Sequence, residues 1–140
     1  ILIQHSHLAV VLWKYFNSLN EKYTNNNLYN YYESLYKDEF PGFIIAKENI
    51  VRLNNFCKEN SINCYLFNMP DIHNLNPYKL KFINNKMKIF TKNIGMDYYD
   101  LLDTFIGIDE NDVWNKYNDP HPNQYGHYLI SQYIFRKLNL

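Results

Sequence analysis

The sequence lacks a net charge: 14 Lys and Arg residues stand against 14 Asp and Glu residues. That balance gives no electrostatic reason to expect a nucleic acid or an anionic membrane surface as partner. No apolar run approaches the length needed to span a bilayer. No stretch rich in Pro, Gly or Ser marks a linker, and no segment repeats, so the chain reads as one domain. Cysteine is scarce. Cys57 and Cys64 lie seven apart, with neither a Cys-x-x-Cys spacing nor a nearby His pair. A zinc site or a thioredoxin motif is therefore not indicated, and two free buried thiols are expected. No Asn-x-Ser/Thr sequon occurs among 22 Asn residues. There is also no initiator Met, no basic leader and no signal cleavage site at the start. The chain opens on Ile1-Leu2-Ile3. We expect it to be the back part of something longer, so the missing signal peptide says nothing about compartment.

What the sequence has is apolar and aromatic content. Of its 140 residues, 46% are hydrophobic and 18% aromatic. That is enough to bury a core and too much for a disordered segment. The 22 Asn, 14 Tyr and 12 Lys against 2 Ala and 4 Gly match the coding bias of an AT-rich genome. An aggregating Asn-rich tract is disfavoured, because the Asn residues are scattered among periodic apolar positions and only Asn25-Asn26-Asn27 form a run of three.

The apolar periodicity predicts alternating elements. Leu8, Leu12, Tyr15, Phe16 and Leu19 recur at helical spacing after Ser6, a candidate N-cap. Glu21 to Asn27 is polar and reads as a loop. Leu28 to Tyr36 reads as a short helix ending before Pro41-Gly42. Its tyrosines are expected to bury their rings and keep their hydroxyls wet rather than to stack on a sugar. Ala46, Ile50, Leu53 and Cys57 share one face of a longer helix. Cys64 to Phe67 is short, apolar and closed by Pro70, as a buried strand would be. Leu80, Ile83, Met87, Phe90 and Ile94 form the cleanest amphipathic pattern, with Gly95 at the C′ position. Met96 to Leu101 reads as a second strand, and Tyr125 to Leu138 as a last helix. This order predicts an α/β fold with a parallel sheet. Two strands are too few for a sheet covered on both faces, so further strands are expected upstream of Ile1.

In such sheets, ligands bind beyond the carboxyl ends of the strands. Two loops qualify: Asn68 to His73, and Tyr117 to Asn123. In the second, Asp119 stands two residues before His121, and Pro120 and Pro122 flank the His. The prolines restrict how the imidazole can point. A carboxylate accepting the Nδ1 hydrogen bond would fix the tautomer and leave Nε2 as a base. Asn123 is well placed to cap the following helix.

Asp119-Pro120-His121-Pro122-Asn123-Gln124-Tyr125-Gly126-His127, followed by an apolar helix, resembles the C-terminal motif of SGNH (GDSL-type) hydrolases. The upstream layout from about Tyr31 is similar to that of family members. The resemblance implies a three-layer α/β/α flavodoxin-like sandwich, of which this chain would be the C-terminal part. It also implies a serine esterase or acylhydrolase in which His121 is the general base and Asp119 its acid. The commoner spacing puts the acid three before the His, where this chain has Asn118. The ring could thus be oriented by Asp119, by Asn118 or by a backbone carbonyl. The family's Gly-Asp-Ser and Gly-x-Asn-Asp motifs do not occur among residues 1–140, and none of the five serines sits in Gly-x-Ser-x-Gly. The resemblance therefore implies that an upstream segment or a partner chain supplies the serine, and that this chain alone does not catalyse acyl transfer. It implies no cofactor and no metal. The expected substrate is a small or carbohydrate ester, such as an O-acetyl sugar.

Other sites weigh less. His73, in the first loop, is expected to be a polar loop side chain, although it could face the same cleft. His127 is expected to hydrogen-bond within the fold. His5 and His7 flank Ser6 but do not face it on a helix. Asp97, Asp100 and Asp103 cannot share one strand face throughout, and Asp100 reads as a strand-end turn residue. Two rivals remain. One is a non-catalytic module of the same fold that binds a glycan or a protein. The other is a metal enzyme using His121, Asp119 and His127 or His73, which ranks last because the prolines limit convergence.

Overall fold

The computed structural model describes residues 8, 11–12, 25–116 and 119–140. The chain divides into two compact units, Ile1–Phe40 and Pro41–Leu140.

In the first unit, Leu8, Val11 and Leu12 are helical and exposed. Ser6 and the rest of that expected helix lie outside the described residues. Helix α1 spans Asn25–Leu35. It starts earlier than the apolar pattern, inside the stretch expected to be a loop, because the first turn of a helix needs polar rather than apolar residues. Leu28, Tyr29, Tyr32, Leu35 and Tyr36 are half-buried at three- and four-residue steps, while Tyr31 is exposed. This is the amphipathic arrangement expected, and burial raises the Tyr36 phenol above its ordinary value.

The second unit is mixed α/β. Helix α2 (Pro41–Glu59) leads to strand β1 (Tyr65–Asn68), helix α3 (Lys81–Ile94) and strand β2 (Asp97–Asp100). β1 and β2 pair in parallel, with Tyr65 opposite Asp97 and Asn68 opposite Asp100. The crossover helix α3 is what parallel pairing requires. β1 is shifted by one residue from the sequence reading and β2 is one residue shorter at each end, and β1 is half-buried with Tyr65 exposed rather than fully buried.

α3 behaves as the periodicity predicts. Leu80, Ile83 and Met87 are buried, and Phe90 and Ile94 half-buried. Gly95 closes it at φ 63°, and the Gly95 and Met96 amides donate to Lys92 O and Thr91 O. A left-handed residue there needs no Cβ, which is why glycine fits. α2 is rotated from its expected face. Phe43, Asn54 and Cys57 are buried, whereas Ala46 and Leu53 are exposed. The polar Asn54 is tolerated inside because its Nδ2 donates to Ile94 O at 2.9 Å. Both cysteines are free, but only Cys57 is fully buried and Cys64 is intermediate.

After β2 the chain forms a 3₁₀ turn, Leu101–Phe105. Asp100 caps it by accepting from Leu102 N at 3.0 Å, and also accepts from Asn84 Nδ2 at 2.6 Å, so it is the strand-end turn residue expected. A four-residue helix α4 (Glu110–Val113) follows, capped by Asp109. Strands β3 (Trp114–Lys116) and β4 (Asp119–Pro122) then form an antiparallel hairpin, and helix α5 (Gln124–Leu138) ends the fold. Ile72, Leu75, Phe105 and Val113 make a fully buried cluster under this region, with Trp114, Leu129 and Ile130 packed against it. No helix among the described residues is long and apolar enough to cross a membrane.

Candidate functional site

Of the stretch read as a loop, Asp119–Pro122 is strand and Asn123 caps the helix, while Tyr117 and Asn118 lie outside the described residues. Asp119, His121 and Pro122 lie in β4, which pairs with β3 through Trp114 opposite Pro122 and Lys116 opposite Asp119. Prolines are compatible with this position because a two-stranded hairpin consists of edge strands, whose outer N–H groups need no ladder partner. Side chains on a strand alternate between faces. Asp119 and His121 therefore share one face, and Asn115 joins them by donating its Nδ2 to Asp119 Oδ2 at 3.1 Å. Trp114 takes the other face and packs on the buried cluster.

Asp119 Oδ1 lies 2.5 Å from His121 Nδ1, and the same oxygen accepts the His121 backbone N–H at 3.3 Å. The carboxylate thus holds the residue by its ring and by its main chain. Of the three ways of orienting the ring that the sequence left open, the structure has Asp119 do so. Asn118 lies outside the described residues. These contacts drag the Asp119 carboxyl from its ordinary value down to about 2, with the His121 side chain as the largest cause and Asn115 next. The group is therefore ionised at neutral pH. An ionised carboxylate only accepts hydrogen bonds, so Nδ1 carries the proton and Nε2 of the neutral ring keeps its lone pair. The His121 side chain is 86% exposed, and no described residue hydrogen-bonds its Nε2.

The hairpin is clamped where it meets α5. The Asn123 backbone N–H donates to Val113 O at 2.8 Å. Its side-chain Oδ1 accepts from Gly126 N at 2.9 Å, the helix cap expected from the sequence. Its Nδ2 donates to Asp112 O at 2.8 Å and to Trp114 O at 3.0 Å. Gly126 is buried against the hairpin. A Cβ there would stand 3.0 Å from Pro122 Cβ and 3.2 Å from Val113 O, so any other residue would make the helix start or the hairpin give by a few tenths of an ångström. His127, one residue on, is exposed.

His73 is more than a polar loop residue. Its Nδ1 contacts Asp71 Oδ1, and its backbone N–H donates to the same oxygen at 2.9 Å. Asp71-Ile72-His73 therefore repeats the local geometry of Asp119-Pro120-His121. The sequence carried a signal for this: the two segments share the Asp-x-His spacing. The His73 ring meets the Trp114 ring edge-on, with centroids 6.4 Å apart at 71°, and Trp114 Nε1 donates to Ile72 O at 2.6 Å. Since His73 follows β1 by five residues, these contacts tie the hairpin to the loop leaving the carboxyl end of the parallel sheet.

Within the second unit, neither Ser61 nor Ser131 is hydrogen-bonded to His121, whose partner is Asp119. Ser34 and Ser131 donate their hydroxyls to Tyr31 O and Tyr128 O within their own helices, at 2.7 and 2.8 Å. Ser6 and Ser18 lie outside the described residues. No three His, Cys, Asp or Glu side chains among the described residues converge as a metal site would require.

The fold and site together define an α/β domain that presents a carboxylate-anchored, solvent-facing imidazole. Comparison with models of known protein families, with curated proteins and with solved structures found no match for this chain.

Proposed function

We propose that this chain is the C-terminal part of an SGNH-type serine esterase or acylhydrolase, built on a three-layer α/β/α flavodoxin-like sandwich. In this reading His121 is the general base and Asp119 is its acid. The observation that carries it is the 2.5 Å contact between Asp119 Oδ1 and His121 Nδ1, on a ring whose Nε2 faces solvent. The Asp119 to His127 motif and the neighbouring carboxyl end of the parallel sheet support it.

The chemistry follows from the tautomer. Nε2 takes the proton of a serine hydroxyl as that oxygen attacks an ester carbonyl, and the imidazolium is stabilised by Asp119. The proton then passes to the leaving alcohol. In the second half, Nε2 takes a proton from water as the hydroxide attacks the acyl-serine, and returns it to the serine oxygen as the acid leaves. The serine comes from a segment upstream of this chain or from a partner chain. A neutral ester, such as an O-acetyl group on a carbohydrate, suits the zero net charge.

The test is ester hydrolysis by the protein that joins this chain to its Gly-Asp-Ser segment, with p-nitrophenyl acetate as substrate. His121→Ala should lower kcat by about 10²–10⁴-fold while leaving the circular dichroism spectrum unchanged. Retained activity, or a variant that unfolds, would sink the assignment and leave a binding module of the same fold.

A further inference from the structure

We infer that Asp71 and His73 are positioning residues for His121, acting through Trp114. The inference rests on the reading of His121 as a base, and it deepens that reading.

A base is useful only if its ring is held to within a fraction of an ångström, by groups whose own conformations are locked. β4 is clamped at its Asn123 end, and along its length little else holds it. It is four residues long, contains two prolines and belongs to a hairpin whose register is irregular between Trp114 and Lys116. Its reference point is β3, and β3 is anchored through Trp114. The indole is gripped twice by one short segment. Ile72 O accepts its Nε1–H at 2.6 Å, and the His73 ring stands against its ring at 6.4 Å. Ile72 and Val113, on either side of that grip, are both in the buried cluster. The segment is in turn stiffened by Asp71, which binds residue 73 by main chain and by ring. The Asp71 side chain is 12% exposed against 47% for His73, so the acid is the sheltered end of the pair. The path from Asp71 to His73, Trp114, Pro122 and His121 is contiguous: a hydrogen bond, a ring contact and a strand pairing lead to Pro122, and the peptide bond joins it to His121.

The test uses the protein that joins this chain to its upstream segment, without substrate, and reads two signals. One is the Nδ1–H proton resonance of His121, which reports its bond to Asp119. The other is exchange of the Asn123 amide, which is bonded to Val113 O. Trp114→Phe keeps a ring but loses the donor to Ile72 O, and His73→Ala removes the ring contact and the bond to Asp71. Each should speed Asn123 exchange by roughly tenfold, broaden the His121 signal and leave the amides of α3 unchanged. His73→Asn retains a donor for Asp71 and should restore part of both signals. An unchanged Asn123 amide, or acceleration spread equally over α3, would overturn the inference. So would a response to Trp114→Phe with none to His73→Ala. Failure of the hydrolase reading shows elsewhere, as ester hydrolysis that survives His121→Ala.

Discussion

Replacing Gly126 by Ala tests whether α5 is seated on the hairpin as described, because two effects of opposite sign compete. In an ordinary helix the change stabilises, by up to about 1 kcal/mol in the interior and less in the first turn, where Gly126 lies. Here the new methyl would stand 3.0 Å from Pro122 Cβ and 3.2 Å from Val113 O. Carbon–carbon contacts are most favourable near 3.5–4.0 Å, so the methyl is at least about half an ångström too close. Neither neighbour can swing aside. Pro122 is a closed ring, and Val113 O is main chain that already accepts the Asn123 amide at 2.8 Å. The helix start must lift instead, and overpacking of this kind costs about 1–3 kcal/mol. The clash outweighs the propensity gain, giving a net loss of about 1–2 kcal/mol. Urea unfolding followed by circular dichroism should show the midpoint falling by about 0.5–1 M. The His121 ring resonances should move with it, since Pro122 is the next residue. Ser131→Ala, on an exposed part of the same helix, is the control and should leave the midpoint unchanged or slightly raised. A Gly126→Ala midpoint equal to or above that of the parent chain would refute the close seating.

Asp119 should titrate near pH 2 when its carboxyl carbon is followed by NMR, and His121→Ala should bring it back toward the ordinary range. Because its folded pKa lies below the usual value of about 3.9, its contribution to stability is complete above that pH and is lost as pH falls toward 2. Acid unfolding of the His121→Ala variant should lack that component. Val113→Ala removes two methyl groups from a fully buried position and should destabilise by about 1.5–3 kcal/mol in the same urea assay. Cys57 is held above its ordinary thiol pKa, chiefly by a hydrogen bond with Cys64 and then by burial. Iodoacetamide should therefore modify Cys57 slowly at pH 8, and Cys64→Ala should shift the onset of that reaction to lower pH; an unmoved onset would show that the thiols do not interact.

The sequence makes α3 legible because its apolar residues keep a strict three-and-four step and a glycine stands where the left-handed cap is needed. It makes the Asn123 cap legible because the amide comes just before an apolar helix. The parallel pair is legible as two short strand-forming runs, Tyr-Leu-Phe-Asn and Asp-Tyr-Tyr-Asp, on either side of a helix. The hairpin is not, since strands of three and four residues show no measurable alternation and Asp-Pro-His-Pro reads as a turn. The α2 face is not legible, because a residue that turns inward is Asn54, whose burial depends on a carbonyl 40 residues away. Asp119 and His121 are legible as a candidate pair from their spacing and the motif around them. Asp71 and His73 share that spacing but lack flanking prolines, and their link to His121 runs through a tryptophan that only the tertiary structure brings near.

Asn123 narrows what evolution or design can place at its position. Asp, Ser and Thr cap helices as well as Asn does, because capping uses only a side-chain oxygen. Here the other end of the amide is also occupied, donating to two carbonyls that belong to α4 and β3. Exchange for Asp would set a carboxylate against both carbonyls, and exchange for Ser would leave them out of reach. Of the interchangeable capping residues, only one fits both the helix and the hairpin. A single amide thereby converts a permissive helix start into a fixed letter, and a library randomised at this position should return asparagine almost alone.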